Sequence, residues 1–332
     1  MKKSICAECG NKSGNWIFKK TVRRYIGEGY SFEMDVELPY CEKCGALVYV
    51  SEIEAGVREE ANAIIRKQTG IITKEEIIDL VEFYGISQKT LSKVLGWGEV
   101  TLPRYISGNY TPNWNNSQKL KSIRSPYYML HLIEEKNIDE HDNSLEKLVW
   151  NSNKRIEEIS RDKGKIYQVV NWFLSNISEE NGITHLALQK ALYFAQAWNK
   201  TLNDKWLFNE ECEAWVHGAV YRKVFDEFKG FSFSRLPMLN TSNDLTEDEI
   251  SVLEFVKENY LDIYSAKTLE NICHLEEPFI ESRGSLKDKT RSDAIIKKDS
   301  IAKYYSQVAK RHGIDKNNLR NVRQYLNELL FG

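Results

Sequence analysis

The sequence predicts a mainly α, multidomain protein, on three observations. Proline is scarce, with six in 332 residues, whereas Leu, Ile, Lys and Glu are plentiful. Apolar residues recur at helical spacing through most of the chain. The length exceeds one ordinary core and suits two or three domains. Apolar residues make up 42% and aromatics 11%, enough to build real cores and to argue against wholesale disorder. No apolar run approaches the roughly 18–20 residues of a membrane span. The basic opening at residues 1–3 has no apolar stretch behind it, so no signal peptide is expected and the cytoplasm is the expected compartment. Net charge is only −2, but it is unevenly spread. Residues 208–281 carry sixteen acids against six Lys or Arg, residues 284–332 eleven bases against five acids, and residues 87–124 six bases against one acid. The last of these stretches suits nucleic acid, and the first would repel it.

Taken in order, the chain opens with two matched pairs, Cys6-Ala7-Glu8-Cys9-Gly10 and Cys41-Glu42-Lys43-Cys44-Gly45. Two residues between thiols let one tight turn aim both sulfurs at a single ion. The following glycine can take positive φ, so that backbone amides turn back toward the sulfurs. Four thiolates fill a tetrahedral shell and leave no open position, which predicts one structural Zn2+ on Cys6, Cys9, Cys41 and Cys44. Two disulfides fit poorly with a cytoplasmic chain, and a redox pair needs no second copy. Between the pairs, Trp16–Phe18 and Phe32–Leu38 alternate as short strands. Residues 1–50 therefore read as a small zinc-held β module, with Lys12, Lys19, Lys20, Arg23 and Arg24 making one side basic. Cys212 and Cys273 are single and read as core thiols.

Residues 51–70 read as a linking helix, from Glu52 to Lys67 with a break at Gly70. Residues 71–135 read as a helix-turn-helix domain. Thr73-Lys74-Glu75-Glu76 has the form of a capping box, opening a helix with Ile77, Ile78, Val81 and Tyr84 that stops at Gly85. Ser87 caps a second helix with Leu91, Val94 and Leu95 on one face. Gly96-Trp97-Gly98 turns into a third segment, Glu99 to Ile106. The last segment would enter the major groove, with Arg104 reaching a guanine edge and Thr101 a base or methyl group. Gln88 and Lys89 would grip phosphate, and Lys119, Lys121 and Arg124 extend the positive side.

The order C-x-x-C…C-x-x-C, linking helix, Ser87-Gln88…Leu95-Gly96…Arg104-Tyr105…Gly108…Pro112 resembles the MqsA-type antitoxins over about residues 1–140. The resemblance implies a dimer that represses its own operon through the helix-turn-helix, with Tyr105 beside Arg104 on the DNA-reading segment. Val100 stands where that family carries an Asn four residues before the Arg, so no operator sequence is implied.

Residues 136–164 are polar and charged around Asp139-Glu140-His141-Asp142-Asn143, and predict a hinge followed by a bridging helix. Residues 165–332 predict an all-α domain. Its helices run over 166–177, then His185–Asn199 capped by Thr184 after a break at 178–182, and then at about 219–229, 246–260, 265–274 and 299–311. The stripe Leu188, Leu192 and Ala195 is core by helical spacing. This stretch is similar to the Panacea, or SocA-like, domain. The matching blocks are Leu188-Gln189-Lys190…Tyr193-Phe194-Ala195-Gln196-Ala197-Trp198, Leu207-Phe208, Glu213-Ala214-Trp215-Val216-His217-Gly218, and Cys273-His274…Glu277-Pro278-Phe279. Gly218-Ala219-Val220 replaces the usual Gly-Pro-Val, and Phe279 replaces a Trp. The resemblance implies an antitoxin that grips a cognate protein toxin, with Gln189, Tyr193, Trp215, His274 and Glu277 as candidate contacts. His217, His274, Glu276 and Glu277 lack a nucleophile motif or metal-ligand spacing, so no enzyme is expected. The acidic segment 208–281 would suit a basic partner. The leading expectation is a type II antitoxin that binds its toxin and operator DNA as a homodimer. Its rivals are a transcriptional regulator without a toxin and a proteolytic adaptor.

Overall fold

The structure, a computed structural model, describes residues 4–12, 14–27, 29–108, 110–136, 142–177, 182–287 and 289–332. The opening at 1–3, Asn109, the acidic hinge centre 139–141 and the break at 178–181 lie outside the described residues. The chain is mainly α with small sheets, as expected. It forms two compact units, Met1–Arg124 with Asp139–Leu148, and Ser125–Ile138 with Val149–Gly332.

In the first unit, β1 (Trp16–Gly27) and β2 (Tyr30–Cys41) form an antiparallel hairpin, in register from Trp16↔Cys41 to Gly27↔Tyr30. Both strands run much further than the short segments expected. The extension passes through Lys19–Arg24, where Lys20 faces Glu37 and Arg24 faces Glu33. Opposed charges support pairing on a wetted face, which a search for alternating apolar residues overlooks. The other face buries Met34, Val36 and Leu38 against Ala61 of α1 (Ser51–Thr69). Phe18, Val22 and Ile26 stay exposed. Among the described residues β1 pairs with β2 alone, so its far edge is open.

Three helices and their caps follow the sequence closely. α2 (Lys74–Tyr84) starts at the capping box: Thr73 accepts from the Glu76 amide, Glu76 accepts from the Thr73 amide, and Gly85 closes the helix at φ 57°. α3 (Gln88–Leu95) begins at Ser87, whose side chain accepts from the Thr90 amide, and ends at Gly96. α4 (Thr101–Ile106) packs on both through fully buried Leu102. α5 (Trp114–Ser122) completes this helical body. Leu120 and Ile123 are fully buried, and the Tyr84 hydroxyl donates to the Ile123 carbonyl at 2.6 Å. α1 is fastened to the chain after α4 by Asn62, which donates to the Gly108 carbonyl, and by Arg66, which donates to that of Tyr110.

α6 (Pro126–Glu135), which the sequence placed in the helix-turn-helix domain, belongs to the second unit. Tyr127 donates to the Asn171 side chain at 2.7 Å, and its ring lies 4.8 Å from that of Phe228. The expected bridging helix is α7 (Asn143–Lys163), whose Ile156 joins the same core. α8 (Lys165–Asn176) and α9 (His185–Asn203) follow. α9 is the axis of the unit, buried on nearly every side, with α8, α11, α12 and α14 packed around it.

The second unit is not purely helical. β3 (Cys212–Trp215), β4 (Gly218–Val220) and the later β5 (Ile295–Ile296) form a small antiparallel sheet in the order β4-β3-β5. Strands this short show no alternation to read in a sequence. The remaining helices are α10 (Arg222–Phe228), α11 (Glu247–Val256), α12 (Ala266–Leu275), α13 (Glu277–Arg283), α14 (Lys298–His312) and α15 (Val322–Phe331).

Candidate functional site

Each cysteine pair sits on a tight turn of one design. The Gly10 amide donates to the Cys6 carbonyl and the Gly45 amide to that of Cys41, both at 2.9 Å, with the glycines at φ 68° and 74°. Only glycine holds that conformation without strain. The turns bring the four sulfurs together: Cys6 and Cys44 are 3.6 Å apart, as are Cys9 and Cys41, and all four lie within 4.8 Å of one another. A disulfide needs sulfurs about 2.05 Å apart, so these are four free thiols. Around an ion with arms of about 2.3 Å, tetrahedral sulfurs stand roughly 3.8 Å apart. The donor set therefore fits a metal ion.

The thiols differ in acidity. Burial opposes the Cys41 thiolate, but the Cys44 and Lys43 amides, the Asn11 side chain and Cys9 outweigh it and bring the thiol down to about 6. At Cys44 the Ala46 amide favours the thiolate, yet the neighbouring thiols and burial push it up to about 12. Four clustered sulfurs cannot all be anionic without a cation between them, and a bound ion would supply that cation.

In the helical body behind them, the sequence-predicted DNA contacts divide in two. Arg104 is exposed, its guanidinium 5.6 Å from the Tyr110 ring centre. Thr101 and Gln88 are half-buried. Lys89 is exposed and pairs with Glu99 at 2.9 Å. Tyr105 stands edge-on to Trp97, and its hydroxyl accepts from Asn116. Lys119 is turned inward, donating to the Leu95 carbonyl at the end of α3 at 2.9 Å. A cation at a helix C-terminus satisfies an orphan carbonyl and complements the dipole. The role visible for Lys119 is thus a cap.

In the second unit, the residues that carry the Panacea resemblance are chiefly scaffold. Gln189 and Tyr193 are almost fully buried, so neither is available as the surface contact expected of them. The Gln189 side-chain Oε1 accepts from the Tyr221 amide at 2.8 Å. Gln196, one helical repeat on, accepts from the Leu207 amide and donates to the Phe208 carbonyl, both at 2.7 Å. Lys190 is fully buried and donates to the Ala219 carbonyl at 2.9 Å. Burial holds its ammonium below the usual lysine range. Gly218, at φ 91°, lets that side chain pass, because a Cβ there would stand 2.8 Å from its Cε. Three polar side chains of α9 thus stitch the Leu207–Tyr221 segment to the core, and leaving any one unpaired costs about 1–3 kcal/mol.

Cys212 and Cys273 are buried core thiols, pushed up by burial, Cys273 to about 12. Glu276 is fully buried. It accepts from the Tyr305 hydroxyl at 2.8 and 3.0 Å and from that of Tyr325 at 2.8 Å, tying α14 and α15 to the α12–α13 corner. His274 is half-buried and stacks on Phe279 at 4.7 Å, while Glu277 is exposed. Trp215 is half-buried. No sequence motif announces its partners: the nearly buried Glu213 carboxylate accepts from Trp215 Nε1 at 2.7 Å and from Arg222 Nε at 2.8 Å. The Arg222 guanidinium also lies over the indole at 5.2 Å.

Among the described residues, no helix is long and apolar enough to cross a membrane. No curated protein and no solved structure matches this chain. Residues 188–279, from the second turn of α9 to the start of α13, match the family model described as antitoxin SocA-like, Panacea domain, so the second unit carries a SocA-like antitoxin domain over that stretch.

Proposed function

We propose that this protein is the antitoxin of a type II toxin–antitoxin system, acting in the cytoplasm without catalysis of its own. The observation that carries the reading is the antitoxin-domain match over 188–279, on a core whose polar residues are spent on structure. The Panacea-like unit would bind a cognate protein toxin and block it by coverage. The front unit would bind operator DNA as a homodimer, with Arg104 and Thr101 reading bases and Gln88 and Lys89 holding phosphate. A two-fold dimer then calls for half-sites spaced by whole helical turns. One structural Zn2+ on Cys6, Cys9, Cys41 and Cys44 would hold the hairpin module, in keeping with the MqsA-like order of cysteines and helices. All-sulfur ligation with no open position supports zinc in a structural role.

The test is co-expression of the full chain with the product of the adjacent reading frame. That product should arrest growth alone and lose its toxicity when this chain is present, and both should co-purify in fixed stoichiometry. A neighbour that is harmless alone would point instead to a regulator without a toxin. A partner whose half-life shortens in the presence of this chain would point to a proteolytic adaptor.

A further inference from the structure

The second unit holds a cleft of about 790 Å³. One wall is Trp215, His217, Arg222 and Phe225, and the other is the loop carrying Lys289 and Arg291. We propose that this cleft receives an acidic side chain, flanked by an apolar anchor, from an otherwise basic partner protein. The proposal rests on the partner-binding reading above and names the surface that carries it.

Both walls are preset. Glu213 orients Trp215 and Arg222 through the hydrogen bonds already described, and Phe225 packs on the indole at 4.7 Å. Opposite, the nearly buried Arg283 pins the loop by donating to the carbonyls of Ala214, Lys287 and Thr290 at 3.1, 3.0 and 2.8 Å. The Ala214 amide adds a bond to the Ala294 carbonyl at 2.8 Å. Walls held this firmly lose little freedom when a ligand enters.

The lining has a definite chemistry. Lys289 and Arg291 are exposed and take part in no ion pair among the described residues, while Asp293 is the one carboxylate found among the lining residues described. Trp and Arg side by side are the residues that most often anchor protein interfaces. Charge decides between a protein and a nucleic acid. The loop with Lys289 and Arg291 opens the basic segment 284–332, whereas the opposite wall, Trp215 to Phe225, lies in segment 208–281, where acids outnumber bases sixteen to six. A uniformly anionic polymer would be repelled on approach. A basic protein presenting one acidic residue satisfies both the surround and the cleft. The loop lies outside the matched residues 188–279.

The experiment compares the full chain with the double variant Lys289→Glu/Arg291→Glu, titrated with the purified product of the adjacent reading frame. Both positions are exposed, so the far-ultraviolet dichroism and melting curve should stay unchanged. Affinity should fall about thirtyfold. The swap Lys289→Arg/Arg291→Lys should keep it within about threefold, and a charge-reversed acid on the partner should restore binding to the double variant. Undiminished affinity of the charge-reversed variant, beside tight binding by the unaltered chain, overturns the cleft assignment and leaves the antitoxin reading standing. If the unaltered chain does not bind that product, both readings fall. An eight-residue oligothymidylate that binds the chain, and loses binding on charge reversal, assigns the cleft to nucleic acid and overturns the proposal.

Discussion

Glu276 shows how one buried carboxyl makes the second unit sensitive to pH. Burial pushes it up from 4.5 to about 7, against hydrogen bonds from Tyr305 and Tyr325 that favour the anion. The folded chain therefore holds this proton more tightly than the unfolded chain. Its contribution is complete below about 4.5 and is lost as pH climbs through 7. Glu276→Gln keeps the size and removes the titration. Relative to the natural chain, the variant should gain on the order of 3 kcal/mol between pH 5 and pH 8. Urea midpoints at the two pH values check this, and a flat difference would mean that the carboxyl is not confined as described. Arg104 and Lys119 offer a second contrast at the same scale. Arg104→Ala should weaken operator binding by roughly ten- to a hundredfold, the worth of a base contact, with the melting temperature unmoved. Lys119→Ala should instead lower stability by about 0.5–1 kcal/mol through loss of its cap on α3, and change affinity little. Calorimetry beside a DNA titration separates the two. Neither partner was legible beforehand: that Lys119 turns inward depends on where α5 sets it against the end of α3.

Elements with a local chemical signature could be read directly. Thr73 with Glu76, Ser87, and the glycines at 85 and 96 mark helix ends because caps are settled by residues three or four apart. The cysteine turns were equally plain, since their geometry is decided within five residues. The hairpin was only half legible, as its charged middle gives no apolar rhythm and its pairing is settled by the opposite strand. The small sheet was not legible at all. β5 lies some eighty residues beyond β3, and nothing local announces that meeting. For the front module the proposed metal site implies a dependence on the ion. Its buried apolar set is small, Met34, Val36, Leu38 and Ala61 in one cluster and Val48 and Val50 beside Cys6 and Cys41 in another. Chelation at neutral pH should therefore collapse amide protection across β1 and β2 while α8 to α15 stay protected, because ion binding is a main source of folding energy for so small a domain. Hydrogen exchange with and without chelator reads this out.

Across the whole molecule, the division into two units redraws the boundary that composition suggested. The polar stretch after residue 135 resembled a linker, yet α6 before it and most of α7 after it both pack with the second unit. Composition reports solvent exposure and is silent about which core an amphipathic helix chooses. A fragment beginning at Lys165 would strip Tyr127, Leu130 and Ile156 from the core, whereas one beginning at Ser125 keeps them. The shorter fragment should melt at least several degrees lower and expose apolar surface that a hydrophobic dye detects. The scaffold role of Gln189, Lys190 and Gln196 also belongs to this scale. A recurrent residue pattern identified the domain, yet those side chains face inward, so recognition of family and recognition of partner rest on different atoms.

The unpaired flank of β1 carries one last implication, for how the protein is made. Twelve residues of strand offer their outward amides and carbonyls to any passing chain, and Phe18, Val22 and Ile26 beside them are sticky. Lys19, Lys20, Arg23 and Arg24 crowd this strand with charge, part of it set against Glu37, Glu33 and Glu54, and charge on an edge strand opposes pairing with identical copies. Ribosomes producing this polypeptide in metal-starved cells, or in brine that mutes those charges, should yield insoluble deposits, whereas well-fed cells in dilute medium should not.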